Sequence, residues 1–129
     1  MTEQENKELL LKDLCERLPY GVKIHANDTN VDNEKVGVLS MVDNDAVIAF
    51  TCDDANTYNY VTIHEVKPYL FPLSSMTEEQ QSQYNFYLTR IVFAYDAPLL
   101  IDWLNKNHFD YRGLIKKGLA IDATGLNVY

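Results

Sequence analysis

Four β-rich runs follow one another between residues 22 and 66, and helix signals stand only before and after them. Val22, Ile24 and Ala26 alternate with Lys23 and His25, the pattern of a half-buried strand. Residues 35–42 are β-rich and residues 45–52 are almost continuously apolar, with Asp43-Asn44 between them suited to a tight hairpin turn. Residues 60–66 alternate Val61 and Ile63 with Thr62 and His64, and Pro68 and Pro72 are expected to stop that strand. The polar stretches 27–34 and 53–59 read as loops. Consecutive strands with short connections favour antiparallel pairing, and helices segregated to the two ends favour an α+β fold. The expectation is an antiparallel sheet of about four strands, flanked on one face by an N-terminal helix and two to three C-terminal helices.

The helices have explicit starts and stops. Thr2 and Glu5 have capping-box spacing, and Leu11, Leu14, Cys15 and Leu18 follow at helical steps up to Pro19. Ser75 and Glu78 repeat the spacing, after which Tyr84, Tyr87, Leu88, Ile91, Val92 and Tyr95 form one stripe, expected to face the core. Asp96-Ala97-Pro98 reads as the cap and first turn of another helix, whose apolar face is Leu99, Leu100, Trp103 and Leu104. Asp110 is placed to cap one more short helical turn through Lys117, closed by Gly118. The tail 119–129 is expected to form a small hairpin about Ala123-Thr124-Gly125.

A chain of 129 residues with 47% hydrophobic residues is one domain, 1–129, with an ordinary packed core. No internal repeat, flexible linker or second hydrophobic core is apparent. No secretory pattern or membrane-length apolar run is present, so the cytoplasm is the expected compartment and no membrane is involved. Cys15 and Cys52 have no ligand spacing and read as reduced thiols. The net charge of −8 is concentrated in the middle: residues 20–66 carry eight acids (Asp28, Asp32, Glu34, Asp43, Asp45, Asp53, Asp54, Glu65) against Lys23 and Lys35, whereas acids and bases balance from Lys67 onward. That balance disfavours direct nucleic-acid binding.

Catalytic grammar is sparse. His25, His64 and His108 have no neighbouring ligand at a recognised spacing, and His64 and Glu65 would point to opposite faces of a strand. Asp43-Asn44-Asp45 and Asp53-Asp54 lack the glycine and glutamate of a calcium loop, so turn chemistry explains them better. There is no Gly-rich phosphate loop, nucleophile elbow or Cys-x-x-Cys. No metal or cofactor is expected, and the balance leans away from an enzyme. Nine tyrosines point toward contact surfaces instead, since tyrosine joins apolar area to a hydrogen-bonding tip. With the aromatic–arginine segment Phe109-Asp110-Tyr111-Arg112-Gly113, they nominate an interaction surface of Tyr58, Tyr60, Tyr69, Phe109, Tyr111 and Arg112.

Two strings carry a resemblance: Lys67-Pro68-Tyr69-Leu70-x-Pro72-x-Ser74-Ser75-Met76-Thr77-Glu78-Glu79, and Trp103-Leu104-Asn105-x-x-His108-Phe109-Asp110-Tyr111-Arg112-Gly113-Leu114-Ile115-x-Lys117-Gly118-Leu119-Ala120. They resemble a group of small uncharacterised proteins of Bacteroides-type gut bacteria and their phages and prophages. The resemblance implies a setting and no activity: a mobile-element gene product acting inside a bacterial cell. The sparse catalytic grammar, the acidic middle and the many tyrosines favour a non-enzymatic accessory or interaction protein whose partner is a host or phage protein. Two other function classes stand beside it. One is a small enzyme or ligand-binding domain with a site between sheet and helices around His64 and His108. The other is a nucleic-acid binder using Arg112, Lys116 and Lys117. A homodimer through a sheet edge or the tyrosine-bearing surface is compatible with all three.

Overall fold

The computed structural model describes residues 2–28, 33–43, 47–51, 58–90 and 97–129. In chain order the elements are α1 (Glu3–Arg17), β1 (Lys23–Asp28), β2 (Asn33–Val42), β3 (Val47–Thr51), β4 (Tyr58–Thr62), β5 (Val66–Pro72), α2 (Glu78–Arg90), α3 (Ala97–Lys106), β6 (Phe109–Asp110) and β7 (Ile121–Asp122). The α+β class is as expected, but the sheet is larger and mixed. Its order is β4-β3-β2-β1-β5-β6, with β7 also on β5. β1 to β5 pair antiparallel, while β6 and β7 join β5 in parallel.

Alternation sorts the central strands into two faces. Ile24, Leu39, Ile48, Phe50 and Val61 face inward, where Leu10 and Leu14 of α1 cover them. Gly37 pairs with Ile24 on that face. A Cβ there would lie 2.6 Å from both Phe50 Cδ2 and the Thr51 carbonyl oxygen, so only glycine lets β2 and β3 approach this closely. In α1, Thr2 caps as expected, its hydroxyl accepting from Glu5 N at 3.1 Å. The buried side of that helix is Leu10, Asp13, Leu14 and Arg17, while Cys15 faces out.

Several sequence expectations are corrected. The last β-rich run is two elements: β4 ends at Thr62 and Ile63–Glu65 forms a 3-10 turn. The prolines do not stop a strand; they lie in β5, where Pro68 sits opposite Ile24. Lacking an N–H, Pro68 fits only a non-hydrogen-bonded pair with its nitrogen turned away from β1, and β7 and β6 pair no residue before Tyr69. The capping box of α2 is Thr77 with Gln80, each side chain serving the other's backbone N–H at 3.2 and 3.0 Å. Ser75 instead lies in the 3-10 turn Leu73–Ser75 and donates to the Pro72 carbonyl. No described α2 residue is fully buried, and its stripe faces the core only in part: Tyr84 and Tyr87 pack on Trp103 and the apolar cluster around it, but Leu88 is exposed. Ile91, Val92, Tyr95, the Asp96 cap, the Asp43-Asn44 turn and Cys52 lie wholly or partly outside the described residues.

A second hydrophobic cluster, not anticipated, joins Leu100, Leu104 and Phe109 to Phe71, Tyr84, Tyr87 and Trp103 beside the β5–β6 end of the sheet. Leu99, expected on the apolar face of α3, is 54% exposed. Asp110 does cap, accepting from Leu114 N at 2.8 Å and Ile115 N at 3.0 Å, though the chain beyond it runs through a series of turns and not a helix. The tail is not a hairpin either, because Ile121–Asp122 pairs with β5. No helix is long and apolar enough to cross a membrane among the described residues.

Candidate interaction surface

The six nominated residues do not share one surface. Phe109 (2% exposed) belongs to the second cluster, 5.6 Å from the Trp103 ring. Tyr69 (7% exposed) packs edge-on against His25. Both rings are interior, so they offer a partner no contact area. The Tyr58 side chain lies outside the described part of the structure. Of the nominated side chains that are described, Tyr60 alone presents a large open ring, 62% exposed.

Tyr111 and Arg112 are half-buried and committed to the fold. Arg17, fully buried, donates from Nε to Asp13 Oδ2 at 2.8 Å and from Nη2 to the Phe109 carbonyl at 2.7 Å. Arg112 reaches the other oxygen of Asp13 at 2.8 Å and makes a short ion pair with Glu16. The Tyr111 hydroxyl donates to Glu16 at 2.9 Å and lies 3.0 Å from the Asn105 amide oxygen, while its ring sits under both guanidinium groups. Two arginines thus meet two carboxylates, tying α1 to the β6 segment. Burial would raise the Glu16 pKa, but hydrogen bonds from Arg112 and Tyr111 outweigh it and hold the carboxyl below its usual range. With Arg112 neutralised, the basic group proposed for nucleic acid shrinks to the exposed Lys116 and Lys117.

The histidines are separated. His25 lies on the outer face of β1, His64 is exposed in its 3-10 turn near Glu3, and His108 stacks on Tyr129 at 3.8 Å. His108 holds a left-handed backbone (φ 61°), and its pKa is lowered to about 4 by burial, with Arg17 and Lys23 adding to the effect. His64 lines a small cleft of about 160 Å³ with Lys7, Lys67 and Leu119. A cleft of about 580 Å³ between α1 and α3 is lined by Glu16, Tyr20, Ile101, Asp102 and Asn105. Another, of about 560 Å³, lies between α2 and α3 under Phe86, Tyr87 and Trp103. No group of three or more metal-ligating side chains converges among the described residues.

Among the described residues, part of the sheet's outer face is exposed. At the Lys23–Tyr69 end of β1 and β5 the tail packs onto the sheet: the Tyr129 hydroxyl accepts from Lys23 N at 2.9 Å and donates to the Tyr69 carbonyl at 2.7 Å. Burial raises the pKa of that hydroxyl. Over β2 to β4 the pattern differs. The register aligns Met41, Ala49 and Tyr60 in one cross-strand row and places Val36 beside His25 in another. Val36 is 46% and Met41 40% exposed, and among the described residues no helix makes extensive packing on this half. Alternation alone would set Val36 and Met41 on opposite faces; a register shift between Leu39 and Met41 returns them to one face, so only the pairing reveals it. No protein-family model matches the chain, and no curated protein or solved structure matches it either.

Proposed function

We propose that this chain is a non-enzymatic interaction protein that holds a basic partner protein against the open half of its sheet. The observation that carries the reading is a set of exposed apolar side chains, Met41 and Tyr60 flanking buried Ala49 in one cross-strand row and Val36 in another, on strands whose connecting segments are acidic. Apolar anchors supply contact energy, and acids around them select a basic partner and speed its approach. In the setting implied by the resemblance, that partner is a host or phage protein and the chain is an accessory protein of a phage or prophage.

The reading is tested by capture from bacterial lysate with the wild-type chain and with Val36→Asp/Met41→Asp. Both substitutions are on exposed side chains, and circular dichroism verifies that the variant folds. A basic protein retained by the wild type, released by salt and absent from the variant supports the reading. Capture that is indifferent to the two substitutions, or confined to acidic proteins, overturns it.

A further inference from the structure

The edge of the sheet beside that open face has its own chemistry. Among the described residues β4 is the terminal strand of the sheet, paired with β3 and extensively packed against β3 alone. An edge strand displays unpaired backbone N–H and C=O groups, and proteins ordinarily blunt such edges with lysine, proline or an inward charge. Tyr58–Thr62 reads Tyr-Asn-Tyr-Val-Thr and contains none of these. At the opposite edge the strands are two residues long, and α3 packs against β6.

We infer that the β4 edge accepts an extended basic segment of the partner protein as an added strand, with arginine or lysine outward and apolar residues inward. This rests on the reading proposed above and names how the partner docks. Backbone pairing would provide affinity, and alternation would provide specificity. On the inner side an added strand lies beside Val61, at the margin of the core, where an apolar residue extends the buried surface. On the outer side it lies beside the exposed Tyr60 ring, a platform for a cation. The outer face already uses that contact, with Lys23 Nζ 5.9 Å from the centroid of the Tyr129 ring. Charge decides between occupants. A second copy would bring another set of eight acids and two lysines from residues 20–66 against the first, whereas a basic segment neutralises them.

The test uses the full chain and a synthetic, end-capped nine-residue peptide alternating arginine with valine. Two analogues, N-methylated at the arginine amides or at the valine amides, keep every charge and side chain but lose one edge of backbone donors. The parent peptide is expected to bind and to slow amide hydrogen exchange within Tyr58–Thr62, and at least one analogue to bind about tenfold or more weakly. Equal binding of all three peptides, or unchanged exchange in β4, overturns strand addition. If that equal binding is still abolished by Val36→Asp/Met41→Asp, the open-face reading stands while the edge inference falls. If no peptide binds and sedimentation shows a dimer that protects the β4 amides, the occupant is a second copy and the inference is wrong.

Discussion

Asp13 holds two arginines at once, one carboxylate oxygen for Arg17 and the other for Arg112, and neither it nor Arg17 is accessible to water. A buried charge is tolerated only while its partners remain, and removing one member of such a pair typically costs about 3–5 kcal/mol. Asp13→Ala is therefore expected to lose about that much in urea unfolding, far more than exposed Glu8→Ala on the same helix. A loss below about 1 kcal/mol would mean that solvent reaches the pair. His108 gives a pH signature of the opposite kind. Burial beside Arg17 and Lys23 lowers its pKa from 6.5 to about 4. Between those values the unfolded chain takes up a proton that the folded chain refuses, so this group makes stability fall as pH drops from about 6.5 to about 4. Below that, its effect is constant. His108→Asn tolerates the left-handed backbone, and should flatten unfolding free energy between pH 7 and 5 even if it lowers the level. An unchanged slope would assign the acid sensitivity elsewhere.

At the scale of elements, the start of α2 shows how closely a local signal can be read and still be misplaced. Both Ser75-x-x-Glu78 and Thr77-x-x-Gln80 satisfy the capping pattern, and the structure uses the second. Thr77→Ala should therefore destabilise by about 0.5–2 kcal/mol through the lost cap. Capping by Ser75 and Glu78 predicts the reverse ranking, so comparing Thr77→Ala with Glu78→Ala by thermal unfolding separates the two; a larger loss for Glu78→Ala would move the helix start back to Ser75. The same limit explains the rest. The alternating residues of β1, the β-rich run of β2, the Thr2 cap and the α3 start at Ala97 were legible because their causes lie within a few residues; the register shift between Leu39 and Met41 in β2 was not. β5 was not, because its prolines are tolerated only through the pairing order, and the parallel additions of β6 and β7 depend on distant partners. Tyr111 and Arg112 looked like a binding pair for the same reason: the carboxylates that occupy Arg112 stand almost a hundred residues away, in α1. The open half of the outer face was equally hidden, since alternation marks a face but not whether another element covers it.

For the molecule as a whole, charge should act on stability and on binding with opposite signs. The net charge of −8 is carried largely by exposed acids or by segments joining the strands, and mutual repulsion among them opposes the compact state. The buried Asp13–Arg17 pair is shielded from salt, so screening acts mainly on the repulsive side. Raising sodium chloride from about 0.01 M to about 0.15 M shortens the Debye length from about 30 Å to about 8 Å. Over that range, too dilute for salting-out to matter, the melting temperature is expected to rise. Affinity for the alternating arginine–valine peptide should fall over the same range, because the attraction that draws a basic segment to the sheet is screened by the same ions. Calorimetric melting and peptide titration on one preparation test both signs. A melting temperature that falls with salt would show that exposed ion pairs, not self-repulsion, dominate the surface. A peptide affinity indifferent to salt would remove the acidic segments from recognition and leave the exposed apolar side chains of Val36, Met41 and Tyr60 to act alone.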